Sequence, residues 1–558
     1  MLVKGYSFRL LDRVNAVQKI TWISLSVLLI LFGFLSGADA EELQKERVES
    51  IASNASLKQH TAYFDILEYQ IVGNTLLSRH ELAQAVYPYL GYHKSINDIE
   101  AARKNLGQLY REKGYPTVLV GIPEQEVLNG IVRLRVTEGR VGRLRVSGSR
   151  YFSLQRIREQ LPSLAKGKIP YLPAAQHEIV ALNKETTDRT VIPVFRPGLT
   201  PGTVEVELKV KDHMPLHGTI ELNNRSTDST TELRASTSLR YDNLWQREHS
   251  LSLQYQTSPQ NTSEVKVLSG TYLMRFSSSD KLLVIYGVKS DSETATVGAL
   301  DVIGKGDIIG LRGIIPLGPL DGYTHNISLG LDYKDFDESI VLQGADRINT
   351  PINYFVISLK YSGNRPIGHG NYQIGASINL GVRGLGNGDQ EFDNKRFNAR
   401  PDFIYLRVNG SFLQEIFAGI DLSIRTEGQL ANSPLISNEQ FSAGGAESVR
   451  GYHETQSLGD DAIQGSVEIY SPPLNRGLLS KHIQHMKLLA FLDGAALRIK
   501  DSLPGQDNKF YLSSTGIGLR LTILKNMNVS LDWALPLKEE GSVGRYEGRT
   551  HFKIDYSF

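Results

Sequence analysis

The last eight residues, His551-Phe-Lys-Ile-Asp-Tyr-Ser-Phe558, alternate polar and apolar without a break. Phe552, Ile554, Tyr556 and Phe558 fall on one face, with His551, Lys553, Asp555 and Ser557 on the other. The same period recurs back to His213. Leu233, Ala235, Thr237, Leu239 and Tyr241 oppose Glu232, Arg234, Ser236, Ser238 and Arg240. Leu251/Leu253/Tyr255, Ile327/Leu329/Leu331/Tyr333 and Val529/Leu531/Trp533 repeat the pattern. Segments of about ten such residues, joined by turn chemistry and lacking domain-length breaks, predict strands with lipid on one side and a watery bore on the other. At about 21 residues per strand and turn, residues 213–558 predict about 16 strands, closed into a transmembrane antiparallel barrel.

The one strongly apolar run lies near the start. Lys4, Arg9, Arg13 and Lys19 precede Trp22–Leu35, and Ser36-Gly-Ala38-Asp-Ala40 follows. That is the layout of a signal peptide cleaved after Ala40, and the run is short for a spanning helix. In residues 41–63, Leu43, Val48 and Ile51 fall at helical spacings. A polar leader and a short plug helix both fit them. The 61 basic and 60 acidic residues balance, which gives no general argument for nucleic acid. The absence of cysteine excludes a disulfide scaffold and a cysteine-ligated zinc site.

Between the leader and the barrel the chain repeats itself. Val72-Gly73-Asn74-Thr-Leu76-Leu77-Ser78 matches Ser147-Gly148-Ser149-Arg-Tyr151-Phe152-Ser153 at an offset of 75, with Leu82 opposite Ile157. Each copy predicts a strand, a glycine turn, a Ser-capped helix, a second helix and two strands. Ser95 and Asp98 cap a helix carrying Ile96, Ile99, Leu106, Leu109 and Tyr110 on one face, with Gly114 past its end. Thr117–Gly121, Ile131–Thr137 and Thr203–Lys209 read as strands, and Ala175–Asn183 as a weakly signalled helix. The modules are placed at 64–139 and 140–212.

Phe441–Tyr452 is a glycine-punctuated loop holding Glu447, Val449, Arg450, Gly451 and Tyr452. Phe491-Leu-Asp493 follows about forty residues later, a carboxylate in an apolar strand. These residue types suggest a clamp rather than a catalytic set. Val449-Arg450-Gly451-Tyr452 with Phe491-Leu492-Asp493 resembles the signature pair of outer-membrane transporters that join POTRA (polypeptide-transport-associated) domains to a barrel. The rest of the chain is most similar to the two-partner secretion branch, of the haemolysin-activator type.

That resemblance implies α+β periplasmic POTRA modules ahead of the barrel, in the outer membrane of a Gram-negative bacterium. It implies a pore that takes a large secreted passenger, unfolded in transit, from periplasm to surface. Lipid and the barrel-assembly machinery are the other implied partners, with Phe552, Ile554, Tyr556 and Phe558 as the insertion signal. Arg450 is expected to pair with Asp493 inside the lumen, Tyr452 and Phe491 to pack around them, and the setting to be wet. Gly494-Ala495 departs from the family pattern, which carries a glycine two places after the aspartate. A barrel-assembly factor and a gated diffusion porin are the alternatives.

Weaker signals stay structural. Gly381–Asp389 is glycine-rich but reads as a barrel turn, not as a phosphate loop between strand and helix. His482 and His485 lack a third ligand by spacing. No residue pattern points to a cofactor, a metal or an enzyme.

Overall fold

The computed structural model describes residues 63–558 except 277–279, 293, 298–299, 319, 321, 338, 342–346 and 475–482. The signal peptide, the leader with its plug helix (Tyr63 apart) and His482 lie outside the described residues.

The described chain forms two compact units. The first runs to Arg140, with Ile169–Leu172 and Thr200–Thr203. Its elements are β1 (Glu68–Val72), α1 (Arg79–Val86), α2 (Ile96–Glu112), β2 (Val118–Gly121) and β3 (Ile131–Glu138). The sheet order is β1-β3-β2, with β1 parallel and β2 antiparallel to the central strand. Alternate residues Val132, Leu134 and Val136 of β3 are buried against Ile99, Ala102, Leu106 and Tyr110 of α2. Ile96, expected on that apolar face, is instead 52 % exposed, because it stands at the first helical position before the stripe turns inward. Ser78 caps α1, and Lys113 together with that cap holds the Glu81 carboxyl down at about 2.

The second unit joins the second module to the barrel. The module consists of β4 (Arg140–Ser147), α3 (Leu154–Glu159), α4 (Leu172–Lys184), β5 (Arg189–Pro197) and β6 (Thr203–Asp212), in sheet order β4-β6-β5. β5 carries Pro193 and Pro197, and its edge position tolerates the missing N–H groups. The internal repeat has a steric basis. Gly73 and Gly148 sit at φ +93° and +89°, and a Cβ on them would stand 2.3 Å and 2.4 Å from the carbonyl oxygens of Val136 and Val210. Gly73→Ala is expected to destabilise its module by roughly 2–4 kcal/mol, from a strained φ and a backbone collision. Faster limited proteolysis of the first module in the full chain is the measurement.

Sixteen strands then close on themselves. They are β7 (Leu216–Asn223), β8 (Arg234–Leu244), β9 (His249–Thr257), β10 (Lys266–Arg275), β11 (Leu282–Asp291), β12 (Gly306–Pro316), β13 (Thr324–Phe336) and β14 (Ile352–Ile367). β15 (Gly370–Gly386), β16 (Ile404–Phe417), β17 (Ile420–Ala431), β18 (Asp461–Tyr470), β19 (Ile483–Arg498), β20 (Lys509–Ile523), β21 (Met527–Pro536) and β22 (Arg549–Ser557) complete the wall. Neighbours pair antiparallel, and β22 returns to β7 through five residue pairs, Lys553–Ser557 with Asn223–Thr219. The apolar face points outward, as Leu251, Leu253, Leu329, Leu331 and Trp533 show by their exposure. Such a face is stable only in lipid.

Two expectations are corrected. The glycine-rich stretch is not simply a turn: Gly381–Gly386 are the end of strand β15, and only Asn387 and Gly388 separate it from a helix, α5 (Asp389–Lys395). Asp389 and Glu391 occupy its first turn, and Glu391 accepts from the Gly388 N–H, so the position open to a phosphate is filled by carboxylates. The bore, in turn, is not watery throughout. At the end away from the second module, inward residues including Val267, Ile308, Tyr354, Val356 and Phe403 pack with Phe392 of α5 and with Leu435 and Ile436. Apolar side chains fill that end because α5 and the segment after β17 fold inward over them.

Candidate functional site: a lumenal loop clamped to the barrel wall

Between β17 and β18 the chain leaves the wall. Phe441–Ala443 pairs with Ser457–Gly459 to form the neck of a long loop, and Gly444, Gly445 and Gly451 at its tip adopt φ of +108°, +112° and +93°. The tip carries Arg450, which is 1 % exposed.

Strand periodicity aims the receiving groups inward. Ser466 and Glu468 alternate along β18, Phe491 and Asp493 along β19, and the register pairs Ser466 with Asp493 and Glu468 with Phe491. Arg450 donates from Nε and Nη2 to the two Asp493 oxygens at 2.8 Å each, and its backbone N–H reaches the same carboxylate at 3.1 Å. Nη2 also lies 2.7 Å from Glu468 and 3.2 Å from the Ser466 hydroxyl, while Nη1 is 3.9 Å from Asp532 on β21. The guanidinium carbon stands 3.4 Å from the centroid of the Phe491 ring. A planar fork that is bidentate to one carboxylate and stacked on an aromatic face suits arginine and not lysine.

The pair of the sequence reading is thus one link in a chain of charges. Glu447 pairs with Arg225 and, at 3.7 Å, with Arg425. Arg425 lies 3.2 Å from Glu468, and Arg520 holds Asp532 at 2.7 Å and 2.9 Å. Arg225, Arg425, Arg450 and Arg520 balance Glu447, Glu468, Asp493 and Asp532. The wet setting expected for Arg450 and Asp493 is corrected at the pair itself, since both are essentially inaccessible, while a cavity of about 340 Å³ lined by Arg425, Glu468 and Asp532 adjoins them. Tyr452 is corrected too. It does not pack around the pair but enters a separate apolar pocket with Val449, Ala495, Leu497 and Leu512. There its hydroxyl donates to the Lys538 carbonyl at 2.8 Å and accepts from the Ser513 N–H at 3.3 Å.

A second lock at the base of the loop escaped the sequence reading. Asp460, fully buried, is gripped by both prongs of Arg396, one at 2.6 Å, and accepts from the N–H groups of Leu435 at 2.9 Å and Lys500 at 2.7 Å. Arg396 directly follows α5, so this ion pair ties the inward helix to the loop. Phe552, Ile554, Tyr556 and Phe558 lie on the terminal strand and segment, with Tyr556 and Phe558 about half exposed. Phe558 and Gly218 exchange backbone hydrogen bonds at 3.0 Å. Among the described residues one group offers metal-ligand spacing, Asp188, His217 and Asp242, with donor atoms within 4.8 Å of one another. Arg240 donates to Asp242 at 3.1 Å, so the cluster is read as an ion-paired joint between the second module and the first barrel strands.

A closed sixteen-strand barrel entered from a POTRA-type module, with an arginine-bearing loop seated in its bore, defines an outer-membrane transporter. Residues 64–139 match the family model "POTRA domain, ShlB-type", and residues 322–521 match "Haemolysin secretion/activation protein ShlB/FhaC/HecB". The outer membrane transporter CdiB of Dickeya dadantii is 21 % identical over 71 % of this chain and 70 % of its own. The heme/hemopexin transporter protein HuxB of Haemophilus influenzae is 20 % identical over 90 % of this chain and 91 % of its own. Among solved structures, CdiB from Escherichia coli aligns at TM-score 0.58 and 18 % identity over 91 % of this chain and 93 % of that one. BamA from Haemophilus ducreyi lacking POTRA domains 1–3 aligns at 0.56 and 16 % over 89 % and 100 %, a likeness of fold. These matches are those of a two-partner secretion transporter, an outer-membrane pore with periplasmic POTRA modules that exports a separate secreted protein.

Proposed function

We propose that the first module captures the exported protein as an extended strand along β2, and that the barrel passes it outward once the lumenal loop is displaced. β2 is a sheet edge, so a guest chain can pair with it without its sequence being read, displacing the Arg103 side chain that reaches the Val120 carbonyl at 3.4 Å. Leu119 on it is 69 % exposed. Beside it α2 contributes Arg103, Lys104 and Arg111, partly offset by Glu100 2.7 Å from Arg103, to a groove of about 540 Å³ whose net positive lining favours guests with acidic side chains. The observation that carries the reading is a pore whose bore holds a loop on an ion-paired seat, attached to the wall through side chains and not through the wall's strand ladder. The terminal strand with Phe552, Ile554, Tyr556 and Phe558 serves as the signal to the barrel-assembly machinery, and the outward apolar belt meets lipid.

The test has two arms. A photo-crosslinking residue at Leu119 is expected to trap one large secreted protein in the periplasm, and a crosslinker at the exposed Tyr87 is expected not to. Deleting the chain should remove that same protein from the medium. Loss of many outer-membrane barrels instead would support an assembly factor, and a conductance defect with normal export would support a porin.

A further inference from the structure

His551, the third residue of β22, faces the tip of the lumenal loop. The Gly451 backbone N–H donates to His551 Nε2 at 2.9 Å. A backbone N–H only donates, so that nitrogen presents a lone pair and Nδ1 carries the proton. The ring is 4 % exposed, and among the described residues Nδ1 has no hydrogen-bond partner. A buried unpaired N–H is costly, so the ring serves Gly451 rather than a network of its own.

The neighbouring peptide explains what this secures. The Arg450 N–H is taken by Asp493 on β19 and the Gly451 N–H by His551 on β22. Two successive N–H groups held from two strands fix the peptide between them, and with it the direction in which the Arg450 guanidinium leaves the backbone. The loop continues along the same strand. His453 Nε2 lies 2.9 Å from Arg549, and the Glu454 N–H donates to Ser226 at 3.0 Å, beside the five-pair seam.

We infer that His551 is a positioning residue for the lumenal loop, supplying through its neutral imidazole the lone pair that seats Gly451 and aims Arg450 at Asp493. The inference takes its meaning from the transport reading, but its test reads the seat itself. The chain has no cysteine, so Val449→Cys places a unique thiol at a fully buried tip position. In that background H551Q keeps an acceptor where Nε2 stood, while H551M has nearly the same shape without a comparable one. Maleimide labelling of the full-length protein in outer membranes is the measurement, with heat-modifiable migration reporting a closed barrel.

H551M is expected to label roughly tenfold faster than the V449C parent, and H551Q within about twofold of it. Failure of H551M alone to close its barrel supports the same conclusion. Equal behaviour of the two variants, whether both fast, both slow or both unfolded, overturns it. Fast labelling of H551M with undiminished export would leave the inference standing and remove the loop from the transport reading.

Discussion

Arg450→Met is expected to unseat the lumenal loop and stop export, although the barrel still closes. The substitution keeps much of the stem and removes the charge, leaving Asp493, Glu468 and Asp532 buried with only Arg425 and Arg520 against them. Breaking a buried ion pair on one side costs about 3–5 kcal/mol, so the seated population should fall by at least about two orders of magnitude. Larger single-channel conductance in planar bilayers, faster protease cleavage near Glu447 and loss of the exported protein from the medium are the readouts. Wild-type conductance would show that the clamp does not hold the loop.

The same geometry decides a charge-exchange experiment. A two-residue view expects Arg450→Asp with Asp493→Arg to recover part of what each single change loses. With Glu468 2.7 Å from the guanidinium and Asp532 behind it, an aspartate at 450 meets two more carboxylates. The double variant is therefore expected to be no better than the worse single one. Recovery of more than about half of export would mean that Glu468 and Asp532 contribute little.

Asp460→Ala is the second large effect. It strands Arg396 and removes the acceptor for the Leu435 and Lys500 N–H groups together, again at about 3–5 kcal/mol. The expected result is release of α5 from the apolar packing at the outer mouth, read as entry of a large antibiotic that the intact barrel excludes. Because this lock sits at the base of the loop, the labelling rate of V449C should change far less than it does in H551M. A change of equal size would mean that base and tip are one cooperative unit.

The features legible in the sequence were the local ones. The 75-residue offset from Gly73 to Gly148 exposes the repeat because each glycine meets a carbonyl of its own module. The alternation from His213 onward gives a closed barrel because period 2 is a property of neighbouring residues. Arg450 and Asp493 were legible as a motif. Glu468 and Asp532 were not, since their approach to Arg450 depends on the register of β18, β19 and β21, which no local period encodes. Arg396 and Asp460 lie 64 residues apart and meet only through an inward helix. Gly381–Asp389 reads as a turn because glycine dominates it, although Asp389 and Glu391 are the acids a helix start favours. The apolar outer mouth did leave a trace: Ile308-Ile309, Val356-Ile357 and Phe403-Ile404 break the alternation where both sides of the wall are apolar.

The joint between the second module and the wall makes that module a lever. Arg189, its side chain almost wholly enclosed, reaches Glu185 within the module at 3.0 Å and Glu248 in the β8–β9 turn at 3.4 Å, while Asp188 meets His217 on β7. A tilt of the module drags this hairpin and its neighbour with it. Any such tilt loads the strand whose other edge is the five-pair closure with β22, so the set of the second module and the tightness of the seam become one mechanical quantity.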